Sequence, residues 1–466
     1  MRRSNSRLPP GPVGLPLVGV APAFVRDPLG FMLDLSRRYG DIVSAQFGPR
    51  KMIWLNHPRL IEDVFVGQHR SCIKDRTTRE FRSFLGNGLL TSEGDFWRSQ
   101  RKLAAPALQP KRIESYAATM VERTEGFAAA LRDEEVRDIH GDIMQLTLDI
   151  VGRTLLGFDT RRDAGRVSAA VEDVIAYFDQ RLFSPTGILL QYLHLPVRTR
   201  YERSVKVLDE LVGRMVERAR RDTSAGRGDY LLAHLVAARN DDGQSMSDRQ
   251  ARDEATTLLL AGHETTALTI VYALYLLSQD DAAQARLRTE LEQLGAASPT
   301  ASDLPRLPYL DAVVRESLRL FPPVWALSRE VTTAFQLGGY TIPAGVEVIC
   351  SPYALQRDPR FFREPERFLP ERWLDTARAA PPRFAYVPFG AGPRTCIGNH
   401  FAKLEATLVL ATLLQQVKLQ VVPGYRLELS PVITMRPKHG LPVIVRRLRP
   451  RSQPSVRADG LATGHV

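Results

Sequence analysis

A helical pattern of apolar residues persists from about Ile61 to about Leu294, and strand patterns gather on either side of it. Such a period commits most of the chain to amphipathic or buried helices. Ahead of the helical stretch, FMLDLSRRY stops at Gly40, and DIVSAQFGPRKMIWLN gives two short strands around Gly48-Pro49. A polar break at Asn240-Asp241-Asp242-Gly243 precedes the longest helical segment. After Pro322-Pro323 come the strand-like runs REVTT, AFQLGGYTIPAG and EVICSPYAL, turned at Gly338-Gly339 and Ala344-Gly345. A last helix, about His400–Gln416, leads to KLQVV and LPVIVRR. The expected fold is mainly α with a small, discontinuous β region.

The chain has 466 residues, 44% hydrophobic and 25% charged, which is ordinary globular composition. No window approaches the roughly 20 uninterrupted apolar residues of a membrane span, and the proline-rich start lacks the apolar core of a secretory signal. No transmembrane anchor is expected, and the protein is expected in the cytoplasm, with peripheral membrane contact left open. The net charge of +11 invites a nucleic-acid reading, so its location matters. Arg2, Arg3 and Arg7 carry +3 at one end, and five arginines against Asp459 carry +4 in residues 446–466, leaving +4 between. Solvated basic tails explain the charge, and no nucleic-acid partner is expected. From Arg449 onward the composition is that of disorder.

Three cysteines, Cys72, Cys350 and Cys396, are too few and too odd for a disulfide framework. The first two read as small buried hydrophobes. Cys396 differs, standing in Phe389-Gly390-Ala391-Gly392-Pro393-Arg394-Thr395-Cys396-Ile397-Gly398, directly before a helix. Glycines permit tight turns and close backbone approach. Backbone N–H groups and a helix N-terminus favour negative charge on sulfur. Phe389 can shield one side of a flat ligand. A thiolate so held suits an iron that pushes electron density toward oxygen, whereas zinc needs companion ligands that are missing.

This segment resembles the haem-binding loop of the cytochrome P450 family, matching FxxGxRxCxG at every anchor. The resemblance runs from Leu8-Pro9-Pro10-Gly11-Pro12 to the final strands and implies a cytochrome P450 fold with haem b on Cys396. It divides the chain into a proline-rich segment 1–14, a single haem domain 15–448 and a tail 449–466. The layout is similar to microsomal-type members and to soluble bacterial fatty-acid hydroxylases, and the missing anchor points to a soluble bacterial enzyme.

Three further constellations fit. Glu316 and Arg319, at i and i+3 in a helix, share a face. Alone they would be a surface pair of small value. The resemblance makes them a buried structural network completed by a downstream arginine, Arg367 in PERF or Arg372 in PERW, and the family layout favours Arg372. In LLLAGHETTAL, a Glu-Thr pair follows Gly262 in a helix apolar nearly all round. The plain reading is a helix defect with Thr265 bonding back to the preceding turn. The functional reading is a proton relay through Glu264 and Thr265, and AGHETT resembles the family's oxygen-activation motif. His263 reads as a core or outward-facing residue. Trp97 and Arg101 share a helix face behind a capping segment, Thr91-Ser92-Glu93. Their donors suit a carboxylate, and the resemblance makes that partner a haem propionate, with Arg329 and Arg394 as further candidates.

The implied activity is insertion of one atom of O2 into a lipophilic small molecule, a fatty acid, terpenoid or polyketide-like compound. Electrons would come from a separate ferredoxin- or flavodoxin-type donor with its reductase, since no flavin domain follows the last strands. Arg98, Lys102, Lys111, Arg112 and Lys403 are expected to flank the cysteine loop as unmatched charges for that donor. A haem-thiolate isomerase or dehydratase acting on a peroxide, and a non-catalytic haem sensor, are the alternatives. Candidate pocket segments are FRSFLGNGLL, FDQRLFSPTGILLQYLHLP, Val324-Trp325-Ala326-Leu327 and Val432-Ile433-Thr434.

Overall fold

A computed structural model describes residues 8–159, 163–183, 196–240, 243–375 and 380–448. The tail from Arg449, Arg2, Arg3, Arg7, the middle of the break at 241–242 and most of the pocket segment 178–196 lie outside the described residues.

The helices that place the site are α1 (Gly94–Ala104), α2 (Ile139–Thr154), α3 (Asp248–Ser278), α4 (Pro308–Leu320) and α5 (Asn399–Gln416). A capping box starts α3: the Ser247 hydroxyl accepts from Gln250 N at 3.3 Å and Ser247 N donates to the Gln250 side chain at 2.8 Å. From there α3 is buried on nearly every side. Complete burial of side chains such as Leu259, Leu268 and Ile270 contributes about 1.5–3 kcal/mol each. Among the described residues, α3 alone has the length and hydropathy of a membrane span, but it lies in the core. It packs most extensively on α2 and also against α4 and α5. Gly262 does not break it. A Cβ there would make ordinary contact with Val151 Cγ2 of α2 at 3.4 Å, so the space beside this glycine does not itself require it.

Pro308 opens α4 at a position where no intrahelical N–H is needed, and Phe321-Pro322-Pro323 ends it. Beyond it, strands return as a five-stranded sheet of β1 (Ile42–Phe47), β2 (Arg50–Leu55), β3 (Cys72–Lys74), β4 (Leu327–Val331) and β5 (Glu347–Cys350), in the order β1-β2-β5-β4-β3. Only β2 and β5 run parallel, with Ile53 opposite Val348. The antiparallel register of β3 and β4 sets Lys74 directly opposite Arg329. A three-stranded sheet and two small hairpins complete the β structure. One hairpin ends in β6 (Met435–Pro437) and approaches α3 through the bond from Tyr272 Oη to Met435 O at 2.8 Å.

Candidate active site

The cysteine loop is shaped by two left-handed glycines, Gly390 (φ 76°) and Gly392 (φ 70°). At Gly392 a Cβ would fall 2.0 Å from the carbonyl oxygen of Phe65, so no other residue fits. Cys396 N donates to Phe389 O at 2.9 Å, closing the loop, and α5 begins three residues later. Cys396 is packed deep in the protein, yet its side chain is accessible. Both hold because the accessible surface faces an internal cavity. Burial pushes the thiol above its ordinary pKa, while Gly398 N–H, Arg101 and Lys74 pull it back. The loop's own N–H groups therefore offset that burial only in part.

That cavity measures about 1520 Å³. Cys396 lines it together with Ala261, Gly262 and Thr265, from the accessible face of the otherwise buried α3. Side chains such as Phe81, Phe84, Leu89 and Leu90 from FRSFLGNGLL, the whole turn Val324–Leu327 and Val432–Thr434 form its walls.

Cations crowd one edge. Arg394 stacks on Trp97 at 3.8 Å, bonds Ser92 O at 2.9 Å and pairs with Glu93. Arg101 donates to Thr395 O at 2.9 Å, beside Cys396. Arg329 lies over the Phe65 ring at 4.9 Å. Lys74, opposite Arg329, is held down to about 7 by burial and then by Arg329 and Arg394. Like charges placed directly across strands destabilise a sheet. Asp75 and Glu93 are the acids facing this group. The expected cap at Thr91-Ser92-Glu93 does not form, because Thr91 bonds Gly86 O at 2.7 Å while Glu93 turns to Arg394 and to Lys74 N at 2.6 Å.

On α3, Thr265 Oγ1 donates back to Ala261 O at 2.7 Å and so keeps its place on the cavity wall. Glu264 also lines the cavity. Its carboxylate accepts from Arg436 Nε of β6 at 2.5 Å and from the Thr434 hydroxyl. Burial alone would raise its pKa, but the Arg436 charge and both hydrogen bonds hold it below the usual range. His263 is a core residue with Nδ1 at 2.8 Å from Leu259 O, and burial lowers its pKa.

Behind the loop, Glu316 and Arg319 are fully buried. Arg319 grips Glu316 through Nε at 2.9 Å and Nη2 at 2.8 Å and donates to the carbonyls of Gln356, Pro365 and Arg367. Arg372 Nε reaches Glu316 at 2.9 Å, while Arg367 points outward to Glu364 at 2.5 Å. Trp373 Nε1 adds a bond to Glu316 at 2.8 Å, a partner the sequence reading missed although it adjoins Arg372.

Residues 9–441 match the sequence pattern of the family described as Cytochrome P450. This chain is a cytochrome P450. It is 35% identical to the cyclooctatin synthase of Streptomyces melanosporofaciens over 91% of its own length and 92% of that protein's. Pentalenene oxygenase of Streptomyces avermitilis is 34% identical, over 88% and 91%. Cyclooctat-9-en-7-ol 5-monooxygenase of S. melanosporofaciens is 34% identical, over 89% and 90%. In structure the P450 is similar to retinoic acid bound cyanobacterial CYP120A1, with a TM-score of 0.83, 29% identity, and coverage of 95% and 99%. The protein is thus an oxidoreductase that incorporates oxygen, and its cofactor is haem b.

The residues present fit that cofactor. A dianionic propionate edge answers the excess of Lys74, Arg101, Arg329 and Arg394 over Asp75 and Glu93. The accessible Cys396, Phe389, Ala261 and Thr265 all line the one cavity. Two parts of the P450's surface depart from expectation. Arg98 is matched by Asp95 at 2.8 Å, and Arg112 by His234 and Asp229, so neither is an unpaired charge. Lys403 lies over the Phe389 ring at 5.8 Å. Lys74, Glu93 and Arg436 were missed because their partners are distant in sequence. Thr434 and Arg436, two apart in extended chain, both reach Glu264, and that period-two spacing was the available signal.

Proposed function

We propose that this P450 oxidises a terpenoid, inserting one oxygen atom with electrons from a separate ferredoxin- or flavodoxin-type donor and its reductase. The observation that carries the reading is the cavity of about 1520 Å³ lined by Cys396 and α3 and walled largely by aliphatic and aromatic side chains. Relatives named for pentalenene and cyclooctat-9-en-7-ol, and a structural neighbour holding retinoic acid, support an isoprenoid occupant. The bacterial relatives also suit a cytoplasmic enzyme.

Haem b, when bound, supplies the oxygen-activating chemistry. The chain supplies what surrounds it. Cys396 would hold the iron through its sulfur, Trp97, Arg101, Arg329 and Arg394 would hold the propionates, and Phe389 would shield the cofactor. The Glu316–Arg319–Arg372 network fixes the segment that leads to the cysteine loop. Apolar walls exclude water and orient the substrate. Glu264 and Thr265 deliver protons. In that relay Glu264 takes up a proton on the Arg436 side, and the Thr265 hydroxyl turns from Ala261 O to donate its proton into the cavity, regaining one from the Glu264 side. This intact acid–alcohol pair speaks against a peroxide isomerase.

Incubation with O2, NADPH, a surrogate ferredoxin and its reductase, and polycyclic terpene hydrocarbons tests the reading. It expects products heavier by one oxygen atom, labelled when the gas is labelled. Turnover of a lipid peroxide without reductant, with terpenes left untouched, would overturn it.

A further inference from the structure

Two acids on one turn of α3, Asp253 and Glu254, are 5% and 2% exposed, and the backbone of another segment occupies both. Asp253 Oδ2 accepts from Asn87 N at 2.7 Å, and Glu254 Oε2 accepts from Leu89 N at 3.0 Å. Glycines let that backbone come so near. A Cβ at Gly86 (φ 68°) would fall 2.0 Å from Asp253 Oδ1, and one at Gly88 would fall 2.4 Å from Thr257 Oγ1. The segment also closes on itself: Thr91 Oγ1 donates to Gly86 O at 2.7 Å, and Arg82 Nη2 donates to Thr91 O at 2.7 Å. It is one compact unit that α3 holds by two carboxylates.

The two acids are not equivalent. Asp253 is neutralised by Arg252 Nη1 at 2.8 Å. Arg252 Nη2 also donates to Phe84 O at 3.2 Å and pairs with Asp209 of the helix Pro196–Ser224. Among the described residues Glu254 has no such cation, and its Oε1 is buried without a hydrogen-bond partner. Burial pushes this carboxyl up to about 7; the Leu89 N–H draws it back, and the neighbouring Asp253 charge raises it.

The held segment is part of the substrate chamber. Phe84, Leu85, Leu89 and Leu90 line the cavity together with Leu258 and Ala261 of α3.

We propose that Asp253 and Glu254 are positioning residues, which clamp the segment 86–90 to α3 and fix Leu89 and Leu90 as a wall against which a bound ligand packs. Exchange of the ligand past that wall opens the clamp and wets Glu254, which returns its carboxyl to the ordinary range. Because the closed form holds the raised value, its advantage is fully present below the ordinary glutamate range and is lost as the pH rises to about 7. Opening therefore eases on the order of tenfold between about pH 6 and pH 8, most of it below about pH 7. The clamp does not depend on which apolar compound the enzyme oxidises.

Release of propiconazole from the haem-loaded protein on rapid dilution, read from the Soret band, tests this. The compound is an apolar triazole whose nitrogen binds haem iron, and it does not itself titrate near neutral pH. The wild-type release rate should rise on the order of tenfold from about pH 6 to pH 8, flattening toward the upper end. Glu254→Gln keeps an acceptor for Leu89 N and cannot ionise, so it should release slowly at both ends of the range. Glu254→Leu keeps the size and deletes the acceptor, so it should release fast at both. A wild-type rate that is flat with pH overturns the proposal, as does a Glu254→Gln variant that keeps the wild-type rise. So does a Glu254→Leu variant that binds haem normally and releases as slowly as Glu254→Gln.

Discussion

Glu264 shows how one residue can be kept charged inside an apolar helix. Burial favours its neutral form, and the guanidinium of Arg436 with the Thr434 hydroxyl outweighs that preference. Because the folded state holds the carboxyl below its unfolded value, the pair's stabilisation is fully present at neutral pH. It is lost as the pH falls through the ordinary glutamate range and below. Glu264→Gln strands Arg436 and should cost about 3 kcal/mol at neutral pH. Melting temperatures measured across pH should then show the gap from wild type narrowing in acid. A gap of constant size would mean that Glu264 carries no such charge. The carboxyl itself was legible in AGHETT, as was its nearness to Thr265. Its counter-charge was not, since Arg436 lies 172 residues away and no local period joins the two.

Helix α4 carries a different device. Glu316 and Arg319 meet by helical spacing, which the sequence displays, but their burial comes from the segment 356–373 folding over them. Four nitrogen donors besides Leu369 N converge on one carboxylate, from Arg319 (Nε and Nη2), Arg372 and Trp373. Removing one member of a buried charged set leaves the others uncompensated, at about 3–5 kcal/mol. Arg319→Ala should therefore yield little haem-loaded protein. Arg367, whose side chain is 67% exposed and paired only with Glu364, should tolerate alanine within about 1 kcal/mol. Haem content after purification checks the ranking, and equal losses in the two variants would contradict it. The family layout favoured Arg372 over Arg367, while the Trp373 bond awaited the folded chain. The strands and turns after Pro322-Pro323 were legible for the same reason as α4: proline and glycine act locally. The alignment of Lys74 with Arg329 was not, because it depends on the register of two strands far apart in the chain.

At the scale of the whole molecule, one cavity gathers residues from β1's neighbourhood to the turn before β6, and its chemistry depends on that convergence. α3, the glycine-shaped loop and the cations of α1, β3, β4 and the loop all line it. The composition alone indicated only a globular protein; the fold turns its aliphatic residues into a substrate chamber. All of this rests on Cys396 being the proximal ligand. The most direct measurement is the absorption spectrum of the reduced carbonyl complex, recorded for wild type and for Cys396→His. The wild type should show the strongly red-shifted Soret band of thiolate ligation, and the histidine variant, if it binds haem, should lose it. A variant that keeps the red-shifted band, or a wild type that never shows it, would contradict the account.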